Sequence, residues 1–290
     1  MMPLSGKTKI CAVIGDPIAH TLSPTIHNAA FKHLKLDFVY LAFRVKANDL
    51  ENAMQGIREL GIHGLNVTMP HKNTVVNYLD EMDPTVQFLG SANTILNREG
   101  KLSGFNTDGV GALQALRENG VDLAEKKVLL LGAGGAAKAI AFSLAPEVGE
   151  LTVLNRATEK ATKLAEALRQ ISDKTITGGS LSRDVISKNM ADSDALINAT
   201  SVGMRPAAGQ SVVPPQSLRS DLTVMDIVYN PIETKLAKDA KAAGAKVING
   251  VEMLIHQGAA SFKIFTGKSA PIEVMRKAAL NKLSGAGDIE

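Results

Sequence analysis

Three short polar runs hold most of the side chains that could move a proton or grip a hydroxyl-rich ligand. Gly64-Leu65-Asn66-Val67-Thr68-Met69-Pro70-His71-Lys72 leaves an apolar stretch and enters a proline-marked turn. Ser91-Ala92-Asn93-Thr94 and Asn106-Thr107-Asp108-Gly109 lie beside apolar stretches of their own. Loops that follow strands are common places for functional side chains, because the strand fixes what the loop exposes. Lys72 has the most to offer. An ammonium held by a carboxylate can give a proton to a ketone oxygen as hydride reaches the carbon, and such proton transfer contributes a factor of about 10²–10⁴ in rate. Most lysines are simply solvated, so Lys72 needs company to carry that reading. His71 is its one rival for the acid–base role, while His27 and His33 fall on a helical pattern and read as packing or surface residues. No His-Glu-x-x-His or comparable ligand spacing occurs, and no metal is expected.

Hydride needs a carrier, and one segment has the residues to hold it. Val128-Leu129-Leu130-Leu131 is followed by Gly132-Ala133-Gly134-Gly135-Ala136-Ala137, a dinucleotide fingerprint with alanine in the third glycine position. Gly132 permits the tight turn, Gly134 lets the backbone approach a pyrophosphate, and Ala137 allows close packing of helix on strand. The N–H groups opening the helix then favour negative charge. Where the next strand ends, an Asp or Glu would hold a ribose 2′-hydroxyl. This chain has Asn155-Arg156 there, with Lys160 one turn on. Arg can grip a 2′-phosphate that a carboxylate would repel, so NADP is the expected cofactor. Thr21 and Ser23, just before Pro24, offer hydroxyls to a small anion near a helix start. The same residues read locally as an N-cap at Ser23 with proline at the first helical position.

These groups must be positioned by alternating short apolar runs and longer helical patterns, which argue for parallel sheets flanked by helices. Strands are expected over residues 9–14, 39–45, 64–68 and 93–96, with helices over 24–34, 49–60 and 73–79. Asn48 and Glu51 have capping-box spacing. The pattern restarts with a helix over 110–119, strand 127–131, helix 135–145, strand 151–154 and helix 158–170. Strands 195–198, 223–226 and 246–248 follow, and helices 253–265 and 271–280 close the chain.

The 290 residues suit about two domains. With 45% apolar and 21% charged residues the chain is an ordinary globular one. A formal net charge of +3 is too small and too spread out for nucleic-acid binding. Residues 128–145, the most apolar stretch, contain Lys138 and the glycine turn, so no membrane span is expected. Cys11 alone excludes an internal disulfide framework, and a cytoplasmic location follows as the expectation.

Taken together the set resembles the shikimate dehydrogenase family, on segments 15–28, 66–72, 93–94, 106–109, 132–137, 155–160, 198–203, 226–231 and 249–257, in the family's order. The resemblance implies an α/β fold of two domains separated by a cleft. Residues 1–108 and 251–290 would form the substrate-binding and catalytic domain, and 109–250 a Rossmann-type NADP-binding domain. It further implies reversible NADPH-dependent reduction of 3-dehydroshikimate to shikimate, in aromatic amino-acid biosynthesis.

By the same resemblance Lys72 is the catalytic lysine and Asp108 its paired aspartate. Thr21, Ser23 and Tyr229 would hold the substrate carboxylate, and Thr68, Asn93, Asp108 and Gln257 the ring hydroxyls along with Lys72. The cofactor positions would be Gly132, Ala133, Gly134, Gly135, Ala136, Ala137, Asn155, Arg156, Thr158, Lys160, Thr200, Ile227 and Gly250. Two positions depart from the family pattern. Thr21 stands where serine is usual and adds a methyl to the carboxylate pocket, and Ala157 stands where threonine often follows Asn-Arg. Thr21 keeps open a quinate/shikimate dehydrogenase of broader substrate and NAD(P) specificity. A non-catalytic ligand sensor on the same scaffold is the other alternative. The sequence does not set the oligomeric state, and a homodimer is the assembly entertained.

Overall fold

The computed structural model describes residues 4–285. It resolves into two compact units: the described residues before Asp108 together with those from Ile255 onward, and Asp108–Leu254. Each unit has its own six-stranded sheet.

The first unit runs β1 (Lys9–Gly15), α1 (Ser23–His33), β2 (Phe38–Arg44), α2 (Leu50–Glu59), β3 (Gly64–Val67), β4 (Glu81–Met82), α3 (Pro84–Leu89), β5 (Thr94–Arg98) and β6 (Lys101–Phe105). Its strand order is β2-β1-β3-β5-β6-β4. β1 pairs parallel with β2 and β3, but β3 with β5 and β5 with β6 are antiparallel. The sheet is therefore mixed where a parallel one was expected. The cause is local. Glu99 (φ 54°) and Gly100 (φ 88°) both take positive φ, which makes a two-residue turn whose twist suits a hairpin. Strand 101–105 was not expected because Lys101 and Ser103 weaken its apolar pattern. The reversal has a functional result: Thr94 at the start of β5 lies opposite Phe105 at the end of β6, so Asn93 and Asn106 emerge at the same end of the sheet. The core beneath joins Ile14, Leu50, Met54, Leu65, Val67, Ile95 and Leu102.

Three local expectations also change. Residues 74–78 form a 3₁₀ turn, not an α-helix. Ser23 is the first helical residue of α1, after Leu22 at the cap position, so its hydroxyl does not cap the helix. Asn48 sits in a 3₁₀ turn, and no side chain caps the start of α2.

The second unit comprises α4 (Asp108–Glu118), β7 (Lys127–Leu131), α5 (Gly135–Leu144), β8 (Glu150–Asn155), α6 (Thr158–Leu168), β9 (Thr175–Ser180), α7 (Arg183–Met190), β10 (Ala195–Asn198), β11 (Thr223–Asp226), α8 (Lys235–Ala242) and β12 (Lys246–Ile248). All its strand pairs are parallel, in the order β9-β8-β7-β10-β11-β12. Counted from β7, this is the doubly wound order 3-2-1-4-5-6, whose direction reverses between β7 and β10. The central strands β7 and β10 are buried on both faces, which explains runs such as Val128–Leu131 with no polar alternation. Gly109 explains how tightly α4 packs on α5, since a Cβ there would lie 2.1 Å from the Ala139 carbonyl oxygen.

α9 (Gly250–Thr266) and α10 (Ile272–Gly285) end the described chain, and the division between units falls within α9. Among the described residues no helix is long and apolar enough to cross a membrane.

Candidate active site

One end of the first sheet collects the polar side chains. β3 ends at Val67, and Thr68 N–H donates to the Ile14 carbonyl (3.0 Å), extending the ladder past the last strand residue. The Met69–Pro70 peptide is cis, and the chain then turns so that the Lys72 carbonyl accepts from Ala92 N–H (2.9 Å). Lys72 is thus tied by its main chain next to Asn93. Gly15 lies under this turn: a Cβ there would come within 2.5 Å of Thr68 Cγ2 and 3.0 Å of the Met69 carbonyl oxygen. Only glycine lets β1 end so close to the turn that carries Thr68.

A buried hydrogen-bond network fixes Asn93. Its Oδ1 accepts from Thr107 N–H (2.8 Å) and from the Thr94 hydroxyl (2.9 Å), and its Nδ2 donates to Thr107 Oγ1 (3.0 Å). A backbone N–H can only donate, so the amide orientation is set: Oδ1 is the acceptor toward Thr107 N–H and Nδ2 the donor. Asn66 is oriented in the same way. Its Nδ2 lies 3.1 Å from the Asn93 carbonyl, 3.0 Å from Thr94 Oγ1 and 3.0 Å from Ser261 Oγ, while its Oδ1 accepts from the Tyr40 hydroxyl (2.6 Å). Gln257 and Ser261 stand one helical turn apart on α9, and Ser261 Oγ donates back to the Gln257 carbonyl (3.1 Å). Asn106 is held by Ser91, through both its carbonyl (3.1 Å) and its hydroxyl (3.3 Å). An unmade bond to a buried polar group costs about 1–3 kcal/mol, so these residues are placed as a set.

Thr21 and Ser23 meet at the start of α1, where the Thr21 hydroxyl donates to Ser23 Oγ (3.2 Å). Ser23 is buried and also lies within hydrogen-bonding range of Tyr40. Tyr40 is fully buried and clamped through its main chain by Asn28, which donates to its carbonyl (2.8 Å) and accepts from its N–H (2.9 Å). Burial raises the Tyr40 phenol and lowers His27 to about 3. His27 stacks on Tyr40 at 4.4 Å and is neutral packing, as its helical position suggests. His33 is exposed. His71, the rival acid–base group, is buried, with Nε2 2.7 Å from the Val45 carbonyl oxygen. A carbonyl can only accept, so that nitrogen carries the hydrogen and is committed to a structural bond.

In the second unit the candidate site is made largely of backbone. Gly132 (φ 113°) donates its N–H to the Leu154 carbonyl (2.7 Å), and a Cβ on it would fall 2.8 Å from the Ala199 carbonyl oxygen. Gly134 precedes α5 with no side-chain cap, and apart from the adjoining chain no atom lies within 4 Å of where a Cβ on Gly134 or Gly135 would stand. Ala133 and Ala137 are buried and Ala136 partly so. This open space at a helix N-terminus, at the point where strand order reverses, fits a pyrophosphate.

At the end of β8, Asn155 Nδ2 donates to the Ala157 carbonyl (3.1 Å). Arg156, Thr158 and Lys160 are exposed, and among the described residues Arg156 and Lys160 have no carboxylate partner. The nearby Glu159 pairs with Lys163 (2.5 Å) instead, so two cations are left for a 2′-phosphate. Ala157 offers no side-chain hydrogen bond at the start of α6.

The loop beyond β10 is anchored by a group that sequence reading did not single out. Asp226, 1% exposed, accepts from Asn198 Nδ2 (3.0 Å), Val228 N–H (3.1 Å) and the Thr234 hydroxyl (2.6 Å). Asn198 in turn accepts from the Thr200 hydroxyl (2.7 Å). Burial raises the Asp226 carboxyl despite these bonds. Ile227 N–H donates to the Asn198 carbonyl (3.1 Å), and a Cβ on Gly250 would lie 2.4 Å from the Ile227 carbonyl oxygen, which brings those two cofactor candidates together. Tyr229 is partly buried, which raises its phenol.

The candidates therefore divide. Thr21, Ser23, Thr68, Lys72, Asn93 and Gln257 belong to the first unit. Tyr229, the cofactor residues and also Asp108, which opens α4 at 5% exposure, belong to the second. Tyr40 and Ser261 were missed because each is a lone polar residue in an apolar run. The four-residue spacing from Gln257 was the available signal for Ser261. A cavity of about 730 Å³ opens at the opposite strand ends of the first sheet, beside Lys9, Arg58, His63 and Asn97, and contains none of the candidates. No group of residues suited to a metal ion occurs among the described residues.

Three family profiles match in succession. "Shikimate dehydrogenase substrate binding domain" covers residues 13–95, "Shikimate / quinate 5-dehydrogenase" 114–244 and "Shikimate 5'-dehydrogenase C-terminal domain" 250–280. The shikimate dehydrogenase (NADP(+)) of Dehalococcoides mccartyi (strain CBDB1) is 46% identical over 267 residues, 92% of this chain and 93% of its own. A crystal structure of shikimate dehydrogenase in complex with NADP+ has a TM-score of 0.90 at 43% identity, covering 97% of this chain and 98% of that one. Shikimate 5-dehydrogenase from Listeria monocytogenes, in complex with shikimate and NAD, has a TM-score of 0.91 at 38% identity, covering 96% and 99%. With sequence and both α/β units matched over nearly the whole length, the chain belongs to the shikimate dehydrogenase family.

Proposed function

We propose that the protein interconverts 3-dehydroshikimate and shikimate with NADP as the hydride carrier, in a cytoplasmic biosynthetic route. The observation that carries this reading is the polar edge of the first sheet, in a chain whose relatives bear that activity in their names. Thr21 and Ser23 supply neighbouring hydroxyls for a carboxylate, and Asn93 supplies an oriented N–H for a ring hydroxyl. Thr68 and Gln257 complete the hydroxyl contacts, and Tyr229 joins the carboxylate.

When bound, NADPH supplies the hydride for the C3 carbonyl carbon. Lys72 donates the proton that the C3 oxygen gains, and takes it back in the oxidative direction. The assigned role of Asp108 is to hold that ammonium in place. Arg156 and Lys160 grip the 2′-phosphate, and the α5 N-terminus binds the pyrophosphate. For assembly we take a homodimer, supported by the open edge of β2, where Leu41 and Phe43 are 41% and 44% exposed. Sedimentation at the monomer mass of 30.6 kDa would remove it.

The deciding experiment is steady-state kinetics of NADP+ and NAD+ reduction with shikimate and quinate, on the wild type and on Thr21→Ser. The highest kcat/KM is expected for shikimate with NADP+. No turnover of shikimate overturns the proposal, and a higher kcat/KM for quinate replaces it with the broader-specificity reading.

A further inference from the structure

We propose that Ser261 is the positioning residue that sets Gln257 and Asn93 for the substrate's ring hydroxyls, an inference that rests on the function just given. Its side chain is wholly buried on α9, far along the chain from the strands it touches. Its hydroxyl lies 3.0 Å from Asn66 Nδ2, 2.9 Å from Thr94 Oγ1, 3.2 Å from Thr107 Oγ1 and 3.1 Å from the Gln257 carbonyl.

Proton counting gives these contacts a direction. The Gln257 carbonyl can only accept, so the Ser261 hydrogen goes there. Ser261 Oγ is then the acceptor for Asn66 Nδ2 and for a threonine hydroxyl. Asn66 has two amide hydrogens and three acceptors in reach, and its Oδ1 is already taken by the Tyr40 hydroxyl. Thr107 connects the same oxygen to Asn93, whose Oδ1 it binds through its N–H. One oxygen therefore fixes the rotation of α9, which carries Gln257 one turn earlier, against the strand end that carries Asn93. The partners of the Ser261 hydroxyl are Asn66, Thr94, Thr107 and the main-chain carbonyl of Gln257, so its effect on the substrate passes through Gln257 and Asn93.

Hydroxyl contacts hold substrate and transition state alike, so disturbing them acts on KM more than on kcat. In Ser261→Ala the KM and the calorimetric Kd for shikimate are expected to rise about tenfold, the size of one lost neutral hydrogen bond. The kcat stays within about threefold and the KM for NADP+ within about twofold by the same reasoning. Ser261→Cys keeps a weak donor and acceptor of similar size, so a smaller rise is expected, and it serves if the alanine variant does not fold. A fall in thermal midpoint or active fraction with unchanged shikimate KM and Kd overturns the proposal and leaves Ser261 a packing residue. Shikimate binding without turnover by the wild type defeats the functional reading but not the positioning role, because calorimetry still reads the latter. Failure of the wild type to bind shikimate defeats both.

Discussion

The two units expose different atoms at their candidate sites. At the end of the first sheet the candidate binding groups are side chains held by other side chains, Asn93 by Thr94 and Thr107 and Ser23 by Thr21, with Asn66 behind them held by Tyr40. At the end of the second sheet the corresponding groups are main-chain N–H groups around Gly132, Gly134 and Gly135, kept reachable by missing side chains. The difference follows from the ligand chemistry that each is proposed to meet. A ring of hydroxyls must be recognised atom by atom, whereas a pyrophosphate needs only a dense set of donors and a favourable dipole. Atoms removed should therefore harm the first site, and atoms added should harm the second.

The largest expected effect tests the first half of that contrast. Lys72→Ala should lower kcat by about 10²–10⁴ with a small change in shikimate KM, because the lost proton transfer is felt mainly in the transition state. Steady-state rates measure this, and a variant that keeps most of its turnover removes Lys72 from the chemistry.

Next come paired additions to the second site. Gly132→Ala puts a side chain on a residue at φ 113° and into the Ala199 carbonyl, so both the fold and the cofactor site should suffer, with about 1–3 kcal/mol of strain. Gly134→Ala adds the same methyl at φ −79° where no atom beyond the adjoining chain is within 4 Å, so its unfolding midpoint should stay put. Its Kd for NADP+ should nevertheless rise by about tenfold, as for one lost hydrogen bond to a charged group. Equal destabilisation by the two alanines would erase the distinction between a turn glycine and a cradle glycine.

Arg156→Ala is a removal at the second site and refines the contrast. It should weaken NADP+ about tenfold while leaving NAD+ unchanged, because a charged hydrogen bond to the 2′-phosphate is all that is lost. Parallel weakening of both nucleotides would show that Arg156 does not read the phosphate.

The smallest effect concerns pH. Burial raises the Asp226 carboxyl above its ordinary 3.8, so the folded chain keeps that proton longer than the unfolded one. Its contribution to stability is full below about pH 3.8 and is lost as pH rises through the raised value. Asp226→Asn cannot titrate. In denaturant unfolding, the variant should gain on the wild type as pH is raised from 4 to 7, by about 1.4 kcal/mol for each tenfold by which folding tightens the carboxyl's hold on its proton. A gain in the opposite direction would contradict the assigned cause.

What could be read from the residues alone follows the same split. The glycine turn between β7 and α5 is local, its small residues are adjacent, and both its elements were placed within a residue or so. β10 and β11 were legible because buried parallel strands are short apolar runs. The first site resisted because its geometry is non-local. Lys72, Asn93 and Gln257 could be nominated, but Tyr40 and Ser261 act through partners 26 and 195 positions away. The mixed sheet was missed with strand β6, and β9, α7 and α8 were not expected because polar residues blur their periodicity. Ser23 and Asn48 show that a capping residue type does not make a cap: α1 begins one residue, and the 3₁₀ turn holding Asn48 two residues, earlier than the motif implies.

The run from Gly132 to Ala137 also limits how this protein can be surveyed. Three of its six positions are already alanine, and the other three have no side chain to truncate. A systematic alanine screen would therefore report sensitive positions across the first sheet's edge and near silence along half of this run. Bulkier replacements, such as valine or aspartate, are what would make the nucleotide half of the enzyme visible to mutagenesis.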